Sequence, residues 1–144
     1  MKLTYELLDA TEQDIDMIIQ AEKETLELQN RLLEVNIEKI KKAIENKEIK
    51  IVANKNEKLG FFWAKLSYPI SYFEDVFYVQ LTYLKKQYRK FFYRFVLEAI
   101  KDYAKENGYN EIFGDVFYSD IDSYKMHSKL AEPVYTVFRA EIDS

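Results

Sequence analysis

The chain has 144 residues, a formal net charge of -4, no cysteine and a composition that is 48% hydrophobic and 32% charged, the balance of a single folded domain over 1–144 rather than of a disordered chain. The missing cysteines exclude disulfide and thiol chemistry, the weak negative charge disfavours nucleic acid as the main partner, and no run approaches the roughly 18 apolar residues of a membrane span. The amino terminus, MKLTYELLDATEQD, lacks the apolar run of a secretory signal, so a cytoplasmic protein is expected.

In chain order, Leu3 to Leu8 alternates as a first strand, and Thr11 with Asp14 three residues on has the form of a capping box opening a helix. Ile15, Ile18, Ile19 and Leu26 share one face of that helix, and Leu33, Ile37, Ile40 and Ile44 form the buried stripe of a second. Ile49 to Ala53 and Leu59 to Leu66 read as strands joined by the polar turn Asn54 to Lys58, with Pro69 closing the hairpin. Phe77 to Leu84 (FYVQLTYL), aromatic and β-branched, is a candidate central strand.

The strongest helical signal follows. Phe92, Phe95, Val96, Ala99, Ile100 and Tyr103 form one apolar stripe, with Arg94, Glu98, Lys101 and Asp102 opposite and Gly108 at the expected C-terminal stop. A strand over Glu111 to Val116, a short helix over Ser119 to Leu130 and a strand over Val134 to Ile142 complete the order, with Pro133 at the last boundary.

The stretch LTYLKKQYRKFFYRFVLEAIKDYAKENGYNEI therefore holds a strand, the pair Tyr88-Arg89, a long helix, an Asn-Gly stop and another strand. With the strand, helix, helix and three strands before it, this order resembles the GNAT superfamily of acyl-CoA-dependent N-acetyltransferases over essentially the whole chain. The resemblance implies an α/β (α+β) fold, a mixed, mostly antiparallel central sheet of about six to seven strands flanked by about four helices. It also implies acetyl-CoA as cosubstrate, an amine acceptor that is a small molecule or a protein, and no metal; a homodimer is allowed for.

By family spacing, the segment after Tyr88-Arg89 is where main-chain amides at the start of the long helix hold the coenzyme A pyrophosphate. Amides at a helix N-terminus carry partial positive charge, and glycines let phosphate approach them. Here those glycine positions are Phe92 and Arg94, and the chain's three glycines lie elsewhere. Two readings stay open. In one, Phe92 turns into the core while Lys90 and Arg94 give charge-assisted bonds to phosphate; in the other, the bulky loop fills the site. The resemblance assigns cofactor binding to Thr82, Leu84, Arg89, Lys90, Phe91, Phe92, Arg94 and Asp120, the last where an asparagine often begins the final helix.

Acetyl transfer needs a neutral amine, because an ammonium with a pKa of about 10.4 has no lone pair for attack. It also needs N–H donors for the oxyanion, which the fold would offer as main chain near Thr82 to Leu84, and a proton for the departing thiolate. FYVQLTYL holds no carboxylate, so the nearest candidate bases are Glu74 and Asp75, for which an exposed pair of loop acids is the favoured reading. His127, the only histidine, falls where the family places a tyrosine acid, and Tyr124 one turn earlier is the alternative donor. Trp63, Tyr68, Tyr72 and Phe73 are candidates to line an acceptor pocket, or ordinary packing.

A divergent acetyl-CoA-dependent N-acetyltransferase is thus the leading expectation. The alternative is a catalytically inactive protein of the same fold that acts as a binding or interaction module. A third reading, KKQYRKFFYR as a local contact for nucleic acid phosphate, has only that segment behind it.

Overall fold

A computed structural model describes residues 5–28, 34–115, 131–134 and 140, and within helices it describes the side chains of all but 90–93. Thr11 builds the expected capping box: its hydroxyl accepts from the Gln13 amide, and the Asp14 carboxylate accepts from the Thr11 amide at 2.9 Å. A short 3-10 turn then leads into helix α1, Ile15–Leu28. Asn36 caps helix α2, Ile37–Glu45, by accepting from the Lys39 amide. On α2, Ile40 and Ala43 carry the burial, whereas Ile37, expected on the stripe, is 44% exposed because it sits at the helix start beyond the edge of the packed face.

Five strands form one sheet in sequential order: β1 (Glu6–Asp9), β2 (Ile49–Asn54), β3 (Glu57–Ile70), β4 (Phe73–Leu84) and β5 (Ile112–Gly114). All neighbours are antiparallel except β4 and β5, which run parallel. The β2–β3 turn falls where the polar run predicts it, and Lys55 and Asn56 both take positive φ, the form of a two-residue hairpin turn whose twist matches its strands. The second hairpin is longer than the sequence implies. Pro69 lies inside β3 rather than closing it, tolerated because the ladder is irregular there: Tyr68 pairs Val76 and the next pair is Ile70 with Phe73.

Helix α3, Arg89–Glu106, is reached through a 3-10 turn, Lys86–Tyr88. Of its predicted stripe, Phe95, Val96, Ala99 and Ile100 are buried in one cluster with Phe62, Ala64 and Phe77 of the sheet and Tyr103 packs against it, while the Phe92 side chain lies outside the described residues. Gly108 ends it at φ +87, while the Gly108 and Tyr109 amides donate to the Lys105 and Ala104 carbonyls, the paired bonds of a Schellman stop. Helices α1 and α2 cover the opposite face through Ile18, Ala21, Ile40 and Ala43 on Ile49, Ile51, Phe61 and Trp63. The fold is thus the expected mixed, mostly antiparallel α/β arrangement, with five strands and three α-helices among the described residues. The expected last helix and last strand fall largely outside those residues.

Candidate functional site

The parallel pairing of β4 with β5 is brief. Only Phe77, Tyr78 and Val79 face Ile112, Phe113 and Gly114, so among the described residues the outer edge of Gln80 to Leu84 meets no strand. At Gln80 the strand also changes its facing: Trp63 pairs Leu81 but Ala64 pairs Val79, leaving Gln80 as an extra, bulged residue. Phe77 and Val79 therefore pack with α3, while Leu81 and Tyr83 pack with the α1 and α2 side. Thr82 pairs Phe62, a fully buried residue of the α3 side, yet Thr82 itself is exposed. Among the described residues, no strand covers the sheet edge there.

Two devices bring the end of β4 close to its neighbours. Leu59 is bulged out of the β2–β3 ladder, and Gly60 then meets Leu84 so closely that a Cβ at Gly60 would collide with the Tyr83 carbonyl oxygen. The Lys85 amide donates to the Leu59 carbonyl at 2.9 Å and locks that approach. From this anchored end the chain turns at once into α3. The first turn of α3 has no side-chain cap and no acidic residue; the 3-10 turn runs straight into it, with the Tyr88 and Arg89 amides donating to the Lys85 and Lys86 carbonyls, and the positive end of the helix dipole falls at this junction.

Arg89 does more than the sequence assigns to it. Its Nε donates to the Leu84 carbonyl at 2.7 Å, its Nη2 donates to the Glu24 carboxylate of α1 at 2.8 Å, and its guanidinium lies 5.3 Å from the Tyr83 ring centroid. Burial pushes the Glu24 carboxyl upward, but hydrogen bonds from Arg89 and Gln20 and the charges of Arg89 and Lys86 together outweigh it, holding Glu24 below the usual carboxylate range. Arg94 is exposed and pairs with no carboxylate among the described residues. Thr82, Leu84 and Arg89 thus lie together at one end of the sheet, while Arg94 sits five residues further along α3. Lys90, Phe91 and Phe92 lie in the α3 first turn by backbone, their side chains outside the described residues, as are Asp120, Tyr124 and His127 altogether.

Asp75 is not brought to that end. It lies seven residues before Thr82 on β4, roughly 20 Å away at strand rise, and its carboxylate accepts from the Tyr109 hydroxyl at 3.0 Å. The Ser67 amide donates to the same hydroxyl, so Asp75 helps clasp the long hairpin to the end of α3 beside an open groove of about 710 Å³. The four hairpin aromatics do not form one pocket either. Trp63 is buried with its Nε1 donating to Glu48, Tyr68 stacks on Tyr78, Tyr72 is 97% exposed at the turn, and Phe73 packs on Phe113. Glu24, which the sequence reading missed, carries no local signal, because its partner is 65 positions away.

No protein-family model and no curated protein matches this chain, whereas solved structures match it over nearly its full length. The aminoglycoside N-acetyltransferase AAC(6')-Iy in complex with CoA has a TM-score of 0.70 at 11% identity, covering 100% of this chain and 98% of its own. The aminoglycoside antibiotic 6'-N-acetyltransferase AAC(6')-Ih from Acinetobacter baumannii gives 0.68 at 13%, over 97% and 100%. Ribosomal-protein-alanine N-acetyltransferase from Brucella melitensis biovar Abortus 2308 gives 0.65 at 11%, over 96% and 100%. At these identities the likeness establishes the fold.

Proposed function

We propose that this chain, whose fold is that of the GNAT acetyltransferases, is an acetyl-CoA-dependent N-acetyltransferase acting on a primary amine. The observation that carries the reading is the α3 start: a helix end with no side-chain cap and no acidic residue in its own first turn begins at Arg89, next to the end of β4, with Arg94 five residues further along. Such an end favours an anion, because the helix dipole rewards negative charge there. Solved neighbours that hold CoA or acetyl-CoA support the same ligand. Arg89 and Arg94, with Lys90, then supply charge-assisted bonds where glycines are absent.

In this reading the outer edge of Thr82 to Leu84, which meets no strand among the described residues, lies beside the thioester, and its main chain donates to the oxyanion that forms as the amine nitrogen attacks the acetyl carbon. Collapse of that intermediate breaks the C–S bond and releases the thiolate; the nitrogen gives up one proton as the amide forms, and the thiolate takes one to leave as the free thiol. The assignment of that proton to His127, or to Tyr124, rests on the sequence resemblance, as does the placing of Asp120 near the cofactor. No helix among the described residues is long and apolar enough to cross a membrane, and a dissolved amine or an exposed peptide end are both compatible acceptors.

The first test is thermal unfolding with and without acetyl-CoA and coenzyme A. A ligand at about 100 times its dissociation constant adds about 2.7 kcal/mol, expected here as a rise of about 5 to 10 °C. No shift at millimolar concentration would reject cofactor binding. A shift without release of free thiol across a panel of primary amines would favour the catalytically inactive binding protein.

A further inference from the structure

The Arg89 guanidinium is bracketed by three residues from two elements, β4 and α1. Leu84 at the end of β4 takes its Nε–H, Glu24 on α1 takes an Nη2–H, and Tyr83 offers its ring face. Those two bonds hold one side of the planar fork and leave its other donors for a further acceptor. An arginine in the first helical turn is otherwise poorly placed, since the positive end of the dipole repels it and its long side chain samples many rotamers. A carboxylate at 2.8 Å, ionised at neutral pH, counters both effects.

We infer that Glu24 is a positioning residue for the anion-binding end of α3: acting through Arg89, it ties α1 to the β4–α3 junction and presets the guanidinium toward the ligand's phosphates. The inference rests on the cofactor reading above and adds to it a residue that touches no ligand. A preset fork would stand in for part of the amide cradle that glycines give elsewhere, because the ordering cost of the side chain is met before the ligand arrives.

The experiment is a double-mutant cycle on coenzyme A affinity by calorimetry, using wild type, Glu24→Gln, Arg89→Gln and the double variant, with melting temperatures of the unliganded forms measured alongside. Glu24→Gln is expected to weaken coenzyme A roughly tenfold, the scale of one charge-assisted bond. The same change made in the Arg89→Gln background is expected to have no further effect on affinity, and Glu24→Asp is expected to recover part of the loss. A merely structural role would leave the affinity cycle additive, whatever the change in the unliganded melting temperature, and would overturn the inference. Tighter binding by Glu24→Gln would mean that Glu24 competes with phosphate for Arg89, which overturns the inference, as would unchanged affinity in a chain whose wild type binds. Absence of binding by the wild type would instead overturn the cofactor reading and this inference with it.

Discussion

Two carboxylates on α1, two positions apart, are pushed in opposite directions by their surroundings. Burial raises Glu22, with the Lys39 charge only partly offsetting it; Glu24 is lowered because Arg89, Gln20 and Lys86 outweigh its burial. A raised carboxyl favours the neutral form in the folded state, so ionised Glu22 costs stability at neutral pH, and that cost fades as pH falls through its folded pKa toward the ordinary value of 4.5. Glu24 contributes stability above 4.5 that is lost as pH falls through its depressed pKa. Glu22→Gln is therefore expected to raise the melting temperature at pH 7 and Glu24→Gln to lower it. Each change should correspond to a few tenths of a kcal/mol up to about 1, as for partly exposed pairs. Melting curves from pH 4 to 8 check both, and equal signs for the two variants would show that burial alone governs α1.

At the scale of elements, the close approach of β3 to the end of β4 depends on one missing side chain. Gly60→Ala forces a Cβ into the Tyr83 carbonyl, backbone that cannot yield without breaking the Lys85 to Leu59 bond. A loss of about 3 kcal/mol, or on the order of 10 °C, is expected by thermal unfolding. A melting temperature within a degree or two of wild type would show that the strands can separate there freely. Helix α3 presents the opposite case, an element kept below its own optimum. Its first turn has basic residues and no acid, so Lys90→Glu is expected to stabilise the chain by about 0.5 kcal/mol through the dipole while weakening coenzyme A binding. Stabilisation with unchanged affinity would remove Lys90 from the anion site.

Across the whole molecule, one sheet separates two cores: α3 with Phe62 and Phe77 on one face, α1 and α2 with Phe61 and Trp63 on the other. Much of this was legible along the chain. The capping box at Thr11, the Asn54 to Lys58 turn, the α3 stripe and the Gly108 stop are local features, each set by a few residues whose spacing and backbone preference act within one element. The hairpin length was not legible, because Pro69 signals a break that an irregular ladder absorbs. Nor was the facing of β4, where Phe77, Val79, Leu81 and Tyr83 alternate as if on one side. Only pairing with β3 places a bulge at Gln80 and sends the second pair across the sheet. Among the described residues, the sequence by itself determined which segments become strands and helices and which basic residues open α3, since these follow from periodicity and capping. Tertiary structure alone decided that β4 parts from β5 after Val79, that Asp75 serves a clasp at the far end, and that Arg89 is held by Glu24. Such contacts join residues tens of positions apart, and their energy appears only when packing brings them within hydrogen-bond reach.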